Sequence, residues 1–218
     1  MSVETNVVRI GNWVVRQRIP DRDEGLELMI LLHGWTGDEN SMWIFTPRLP
    51  QNYLIISPRG LFPTPIGGYG WGENSIKEWP TMNDFKAAMQ ALIDLIDTID
   101  FPGLHENRFN VLGFSQGAAL GYALAFTHPD RIGKLAGLSG FFPEPTQGGL
   151  LDGTLEGKRV FVAHGLKDEM VPVDKARQVV EALKHSGAEV IYCEEDVGHK
   201  LSSGCFRGMD DYFAPSND

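Results

Sequence analysis

An α/β architecture, with a mostly parallel central sheet and helices on both faces, is what this sequence predicts. Short apolar runs rich in Val, Ile, Leu and Phe alternate with longer stretches of helical period, the pattern of βα units. The length of 218 residues suits an α/β fold built on a single core, and neither an internal repeat nor a linker divides it. One domain over residues 1–218 is therefore expected.

Taken in order, Val7 to Ile19 reads as one or two opening strands, Glu27 to Leu32 as a buried strand and Tyr53 to Ser57 as another. Asn83 to Ile99 sets Phe85, Met89, Leu92, Ile93 and Ile96 at spacings of three and four, one apolar helical face with Asn83 as its expected N-cap. Phe109 to Leu112 is the next strand. It runs into an Ala-rich helix, Ser115 to Phe126, which must end before His128-Pro129. Strands at Lys134 to Ser139, Arg159 to Ala163 and Glu189 to Cys193 follow. Val173 to His185 is a helix closed by Gly187, and Leu201 to Phe213 is the last. Two long loops remain, Pro58 to Pro80 and Phe141 to Gly157. Both leave the carboxyl end of a strand, where open α/β sheets place ligands.

Composition narrows the function. A net charge of -10 opposes a role that depends on attracting phosphate backbones or anionic headgroups, so no nucleic-acid partner is expected. Met1 to Trp13 lacks the basic start and apolar stretch of a signal peptide, and the longest strongly apolar run, Leu28 to Leu32, is far too short for a transmembrane segment. Cytoplasmic residence is the resulting default. Cys193 and Cys205 lack a metal-type spacing and are expected to be buried free thiols.

Gly113-Phe114-Ser115-Gln116-Gly117 matches G-x-S-x-G, and it lies between a short strand and a helix as a nucleophile elbow requires. The glycines let a serine occupy a strained turn without side-chain collisions, and the next amide, Gln116, falls at a helix N-terminus where developing negative charge is favoured. The competing reading is a strand-to-helix turn whose glycines serve packing alone. A serine hydroxyl needs a base, and the base needs an acid to orient it. Asp168, just beyond the strand Arg159 to Ala163, and His199, in a Gly-His pair after Glu189 to Cys193, supply these in the order Ser, Asp, His of the α/β-hydrolase fold. Taken singly, each also reads as an ordinary loop residue. Glu194, Glu195 and Asp196 read as solvated. His33 and His164 end strands in His-Gly pairs but form no recognised zinc spacing, so no metal is expected. His33-Gly34-Trp35 leaves the strand where this fold supplies a second oxyanion donor, which selects the Trp35 amide.

Together HGWTGDEN, GFSQGAAL, LSGFFP, HGLKDEMVPVDKA and the later GH resemble the phospholipase/carboxylesterase family, which includes acyl-protein thioesterases, over about Leu28 to Phe213. The resemblance implies hydrolysis of small-molecule carboxylic esters or thioesters of small to medium acyl chains, through an acyl-enzyme and without a cofactor. It implies a Ser115, Asp168, His199 triad with Trp35 and Gln116 as backbone oxyanion donors. It also implies a pocket lined by Phe62, Tyr69 and Trp71 within Pro58 to Trp79, by Phe141 and Phe142, and by Met170 and Val171. Trp35 stands where eukaryotic thioesterases have a small aliphatic residue, and the GGYGW stretch at Gly67 to Trp71 is unusually aromatic. These aromatics either narrow the acyl site toward short esters or simply pack the loop. The expected activity is thus a serine carboxylesterase. Its alternatives are a thioesterase or lysophospholipase for longer chains, and a catalytically silent binding module on the same scaffold.

Overall fold

The computed structural model describes residues 4–22, 24–72, 79–144 and 153–215. The opening apolar run is two strands, β1 (Glu4–Ile10) and β2 (Trp13–Ile19), followed by β3 (Leu26–Leu32) and β4 (Tyr53–Pro58). A short pair, β5 (Phe62–Pro63) and β6 (Tyr69–Gly70), stands apart, and β7 (Leu104–Phe114), β8 (Ile132–Leu138), β9 (Arg159–Gly165) and β10 (Glu189–Glu195) complete the series. The main sheet has the order β1-β2-β4-β3-β7-β8-β9-β10. Its first two pairings are antiparallel and every pairing from β4 to β10 is parallel. This is an α/β-hydrolase fold.

Because successive strand side chains point to opposite faces, a strand covered on both sides is apolar throughout. β3 shows it plainly. Leu28, Ile30 and Leu32 join a core with α1 (Lys86–Asp97), α2 (Gln116–Thr127) and α3 (Val173–His185). Met29 and Leu31 join a second core with a 3-10 helix (Ser41–Arg48) and α4 (Ser203–Phe213). α2 lies under the middle of the sheet, and its small Ala and Gly residues let it sit close there, with only its last two residues outside the buried set.

Two local expectations fail, and one element was not expected. The helix expected from Asn83 starts earlier, in a 3-10 turn (Met82–Phe85) capped by Thr81. The Asp84 carboxylate accepts from both the Thr81 N–H and its hydroxyl at 2.7 Å, so the carboxylate three residues on outcompeted the nearer amide. The 3-10 helix Ser41–Arg48 went unpredicted because its apolar residues are consecutive and Pro47 interrupts it. Its three-residue turn buries Met42 and Phe45 and leaves Ile44 outside.

The two cysteines, expected as free thiols, are joined as a disulfide, with Cα atoms 5.7 Å apart. β10 is an edge strand and α4 returns across its end, held at its start by the Ser202 hydroxyl accepting from Cys205 N–H. That return brings together two thiols that no spacing motif marks. The bridge closes the segment that carries His199, with a sequence separation of 12, so closure of a loop this short contributes about 3 kcal/mol by restricting the unfolded chain. Cys205→Ser is expected to lower the urea midpoint and, by freeing the unfolded chain to expand, to raise the m-value slightly, and full reduction of the native protein should reproduce both changes.

Candidate active site

The elbow forms where β7 passes into α2. Ser115 has φ 52° and ψ -116°, a conformation that costs a residue with a side chain on the order of 1–3 kcal/mol. The surroundings impose it. Ser115 N–H donates to Leu138 O at 2.8 Å, and its carbonyl accepts from the amides of Ala118 and Ala119 at 3.0 and 3.1 Å. A Cβ on Gly117 would lie on the Leu32 carbonyl and one on Gly113 on the Gly117 carbonyl, so the crossing of strand and helix closes only with glycine at both places. As one of the first amides of α2, Gln116 N–H has no acceptor within the helix.

At the end of β3, His33 is fully buried and forms two contacts that fix its tautomer. Gly60 N–H donates to Nε2 at 2.8 Å, so Nε2 is the bare nitrogen. Nδ1 then carries the hydrogen and donates to Gly34 O at 2.7 Å, an oxygen that also accepts from Gly37 N–H at 3.0 Å. With the Gly34 carbonyl held by two donors, its peptide plane is set, and the opposite end of that trans peptide is the Trp35 N–H. A second brace comes from the loop after β4. Trp71 donates its indole N–H to His33 O at 2.8 Å and its backbone N–H to the Gln116 side-chain oxygen at 2.9 Å. The bidentate Arg59–Glu39 pair, at 2.7 and 2.9 Å, and the Tyr69 N–H to Gly37 O bond of 2.8 Å tie the same two loops together.

After β9, the buried Asp168 is saturated with donors. Oδ1 accepts from Met170 and Val171 N–H at 2.9 Å each, and Oδ2 meets His199 Nδ1 at 2.7 Å. His164 Nε2 lies 3.4 Å from the same Oδ2 and 2.7 Å from Val171 O. The His199 ring packs at a tilt against that of Phe114, the residue before Ser115, with centroids 4.9 Å apart, and a Cβ on Gly34 would sit 3.3 Å from Ser115 Cβ. Thus the ends of β3, β7 and β9 and the loop after β10 are gathered along one rim of the sheet. Every predicted triad and oxyanion residue lies there.

The predicted pocket residues are placed differently. Trp71 is 0% exposed and braces the His33 loop, so it presents no surface to a ligand, contrary to the lining role expected of it. Its indole N–H is better satisfied by a buried carbonyl than left facing an apolar site. Val171 is likewise buried, in the core beside α3, and Phe141 is buried against Trp79 with ring centroids at 4.9 Å. Phe142 packs on Phe126 at 5.1 Å, Phe62 and Tyr69 are half-buried in the β5–β6 pair, and Met170 is 68% exposed. The parts of the expected lining and long loops at 73–78 and 145–152 lie outside the described residues. A cavity of about 410 Å³ opens beside His199 on the other face, between the 3-10 helix and α4, with Trp35, Ile44, Phe45, Phe114, Leu201 and Phe206 in its wall. No periodicity marks these residues, since they come from four separate segments.

Burial holds two of these imidazoles neutral. Loss of solvation lowers the pKa of His33 and of His164 below the ordinary 6.5, outweighing the nearby carboxylates. The unfolded chain therefore takes up protons near 6.5 that the folded protein refuses, and acid favours unfolding in that interval. Stability should be complete above this value and fall as the pH drops below it, with a slope of up to about 1.4 kcal/mol per pH unit for each histidine. Urea midpoints at about pH 7.5 and about pH 5.5 check this, the lower value being expected in acid. Asp38 and Glu39 also have lowered pKa values, Glu39 through Arg59, but act in a separate window below the ordinary carboxylate range.

A mostly parallel sheet with the serine elbow at its centre, an aspartate and a histidine after the later strands, and a braced amide loop after β3 is the arrangement of the α/β-hydrolase class. The chain belongs to the phospholipase/carboxylesterase family, whose profile matches residues 18–214. It is similar to the acyl-protein thioesterase 1 of Saccharomyces cerevisiae, with 32% identity over 178 residues, 70% of this chain and 76% of that protein. Its fold matches the carboxylesterase of Mesorhizobium loti with a TM-score of 0.81 and 22% identity, covering 95% of this chain and 97% of the other. The Bacillus cereus carboxylesterase matches at 0.79 and 20%, covering 92% of each chain.

Proposed function

We propose that this protein is a serine carboxylesterase, working as one domain, that cleaves small to medium acyl esters through an acyl-enzyme. The observation that carries the reading is the 2.7 Å contact of Asp168 Oδ2 with His199 Nδ1 at the rim where the Ser115 elbow emerges. The carboxylate draws the imidazole hydrogen to Nδ1, which leaves Nε2 bare to take the Ser115 proton. The serine oxygen then attacks the ester carbonyl. The negative charge that develops on the ester's carbonyl oxygen is met by the Gln116 amide at the start of α2 and by the Trp35 amide, whose peptide is oriented through His33. Losing one such donor typically costs about 100- to 1,000-fold in turnover, so the braces on these loops matter as much as the triad. Collapse expels the alcohol, and water, deprotonated by His199, releases the acid and restores Ser115.

Each step uses groups of the chain itself, so EDTA should leave the rate unchanged. A fluorophosphonate probe should label Ser115, located by peptide mass mapping, and labelling should vanish in Ser115→Ala. An intact protein that hydrolyses no ester and accepts no probe would instead be a binding module. The name of the yeast relative, acyl-protein thioesterase 1, favours a second reading in which the same side chains cleave thioesters. Rates for matched oxygen and thiol esters, each over a series of acyl lengths, separate the two and also test lysophospholipase action on long chains. Cytoplasmic residence carries a condition, because the Cys193–Cys205 bridge would have to resist the reducing thiol pool there.

A further inference from the structure

We propose that the cavity between the 3-10 helix Ser41–Arg48 and α4 is the leaving-group subsite, and that it selects esters of apolar alcohols, aryl or branched alkyl. The inference rests on the reading of Ser115 and His199 given above and adds the side of the site on which each half of the ester lies.

When the tetrahedral intermediate collapses, the bond from carbon to the alcohol oxygen breaks and the carbonyl re-forms. The proton that His199 took from Ser115 passes from Nε2 to the departing oxygen. That oxygen must therefore lie within about 2.6–3.2 Å of the imidazole at this step. Whatever is attached to it begins one bond further on and has to occupy space adjoining His199. The 410 Å³ cavity adjoins His199 directly and also reaches Trp35, whose amide faces the carbonyl oxygen in the same reading. A volume of that size is at the small end of ligand pockets, enough for a compact ring or branched chain.

The wall chooses the chemistry. Trp35, Ile44, Phe45, Phe114, Leu201 and Phe206 are apolar, and among the described residues His199 and Lys200 are the only titratable side chains that line the cavity. Among the described residues no lining carboxylate would hold a cationic alcohol such as an amino alcohol. Ile44 is 71% exposed although it is large and aliphatic, and it stands beside the open mouth where a bound group would cover it. Phe45 and Phe206, with ring centroids 5.6 Å apart, join the two walls. The acyl half is then left to the opposite side, toward the loops after β4 and β8.

The test varies one half of the ester at a time. In the acetate series, methyl, 3-methylbutyl and 2-phenylethyl esters have alcohols of similar acidity but different bulk, so kcat/KM should rise along it. Ile44→Asp places a charge at the cavity mouth on an exposed position, where folding should be unaffected, which thermal unfolding checks. It should lower the ratio of kcat/KM for 2-phenylethyl over methyl acetate about tenfold or more. The ratio for methyl hexanoate over methyl acetate should stay within about twofold, because the acyl half lies elsewhere. A change in the hexanoate ratio with the alcohol ratio constant would make the cavity the acyl site and overturn the proposal. No change in either ratio would also overturn it. Fluorophosphonate labelling of Ser115, run in parallel, tells the two levels apart: a labelled serine with an unmoved alcohol ratio refutes the subsite alone, whereas an unlabelled one refutes the underlying mechanism.

Discussion

Ser115→Ala is expected to reduce turnover of a short-chain p-nitrophenyl ester by about 10⁴- to 10⁶-fold, which corresponds to roughly 5–8 kcal/mol of lost transition-state stabilisation. The substitution removes a single oxygen. Because the backbone at this position has φ 52° and is held by hydrogen bonds of its peptide groups to Leu138, Ala118 and Ala119, alanine keeps the same turn and the same neighbours. Thermal unfolding should therefore move little while activity disappears. What survives is the rate due to the Trp35 and Gln116 amides acting on attack by water. Retention of wild-type kcat by a folded Ser115→Ala protein would refute the mechanism outright.

Asp168→Asn should cost about 10⁴-fold in kcat, with the loss confined to chemistry. The reason lies in which oxygen does what. Oδ1 accepts the Met170 and Val171 amides, a task the carbonyl oxygen of asparagine performs equally well. The NH₂ group then occupies the place of Oδ2, facing His199 Nδ1 and His164 Nε2. As a donor it demands a bare Nδ1, which moves the imidazole hydrogen to Nε2 and leaves His199 unable to accept the serine proton. Asp168→Ala makes an instructive contrast, because it also strands two buried amides without an acceptor and should lower the unfolding midpoint as well. Steady-state rates together with urea unfolding of the two variants separate orientation from stability. An Asp168→Asn enzyme within tenfold of wild type would show that the carboxylate does not set the tautomer.

The elbow at Ser115 could be read directly, because its requirement is local: two glycines, a strand before and a helix after. Asp168 and His199 were legible for a related reason, as each follows an apolar run at the rim where a parallel sheet delivers all its strand ends. α3, bounded by Pro172 and Gly187, was recovered with its predicted ends for the same local reason. The start of α1 was not, since a capping contest between Thr81, Asn83 and Asp84 is decided by side-chain geometry that the residue types alone leave open. His33 appeared as a stray histidine and Trp71 as a pocket aromatic. Only the packed loops made the first a brace for the Trp35 peptide and the second the peg that holds it.

Thus residue order alone determined the fold class, the order of the main-sheet strands and α-helices, and the chemical types gathered at one edge of the sheet. These follow from hydrophobic period and backbone sterics, which act between near neighbours in the chain. The tertiary structure decided the Cys193–Cys205 bridge, the tautomer of His33, the burial of Trp71 and the apolar cavity beside His199. Each of these depends on segments far apart in sequence meeting at a few ångströms, and the contact between such segments is set by how whole layers pack.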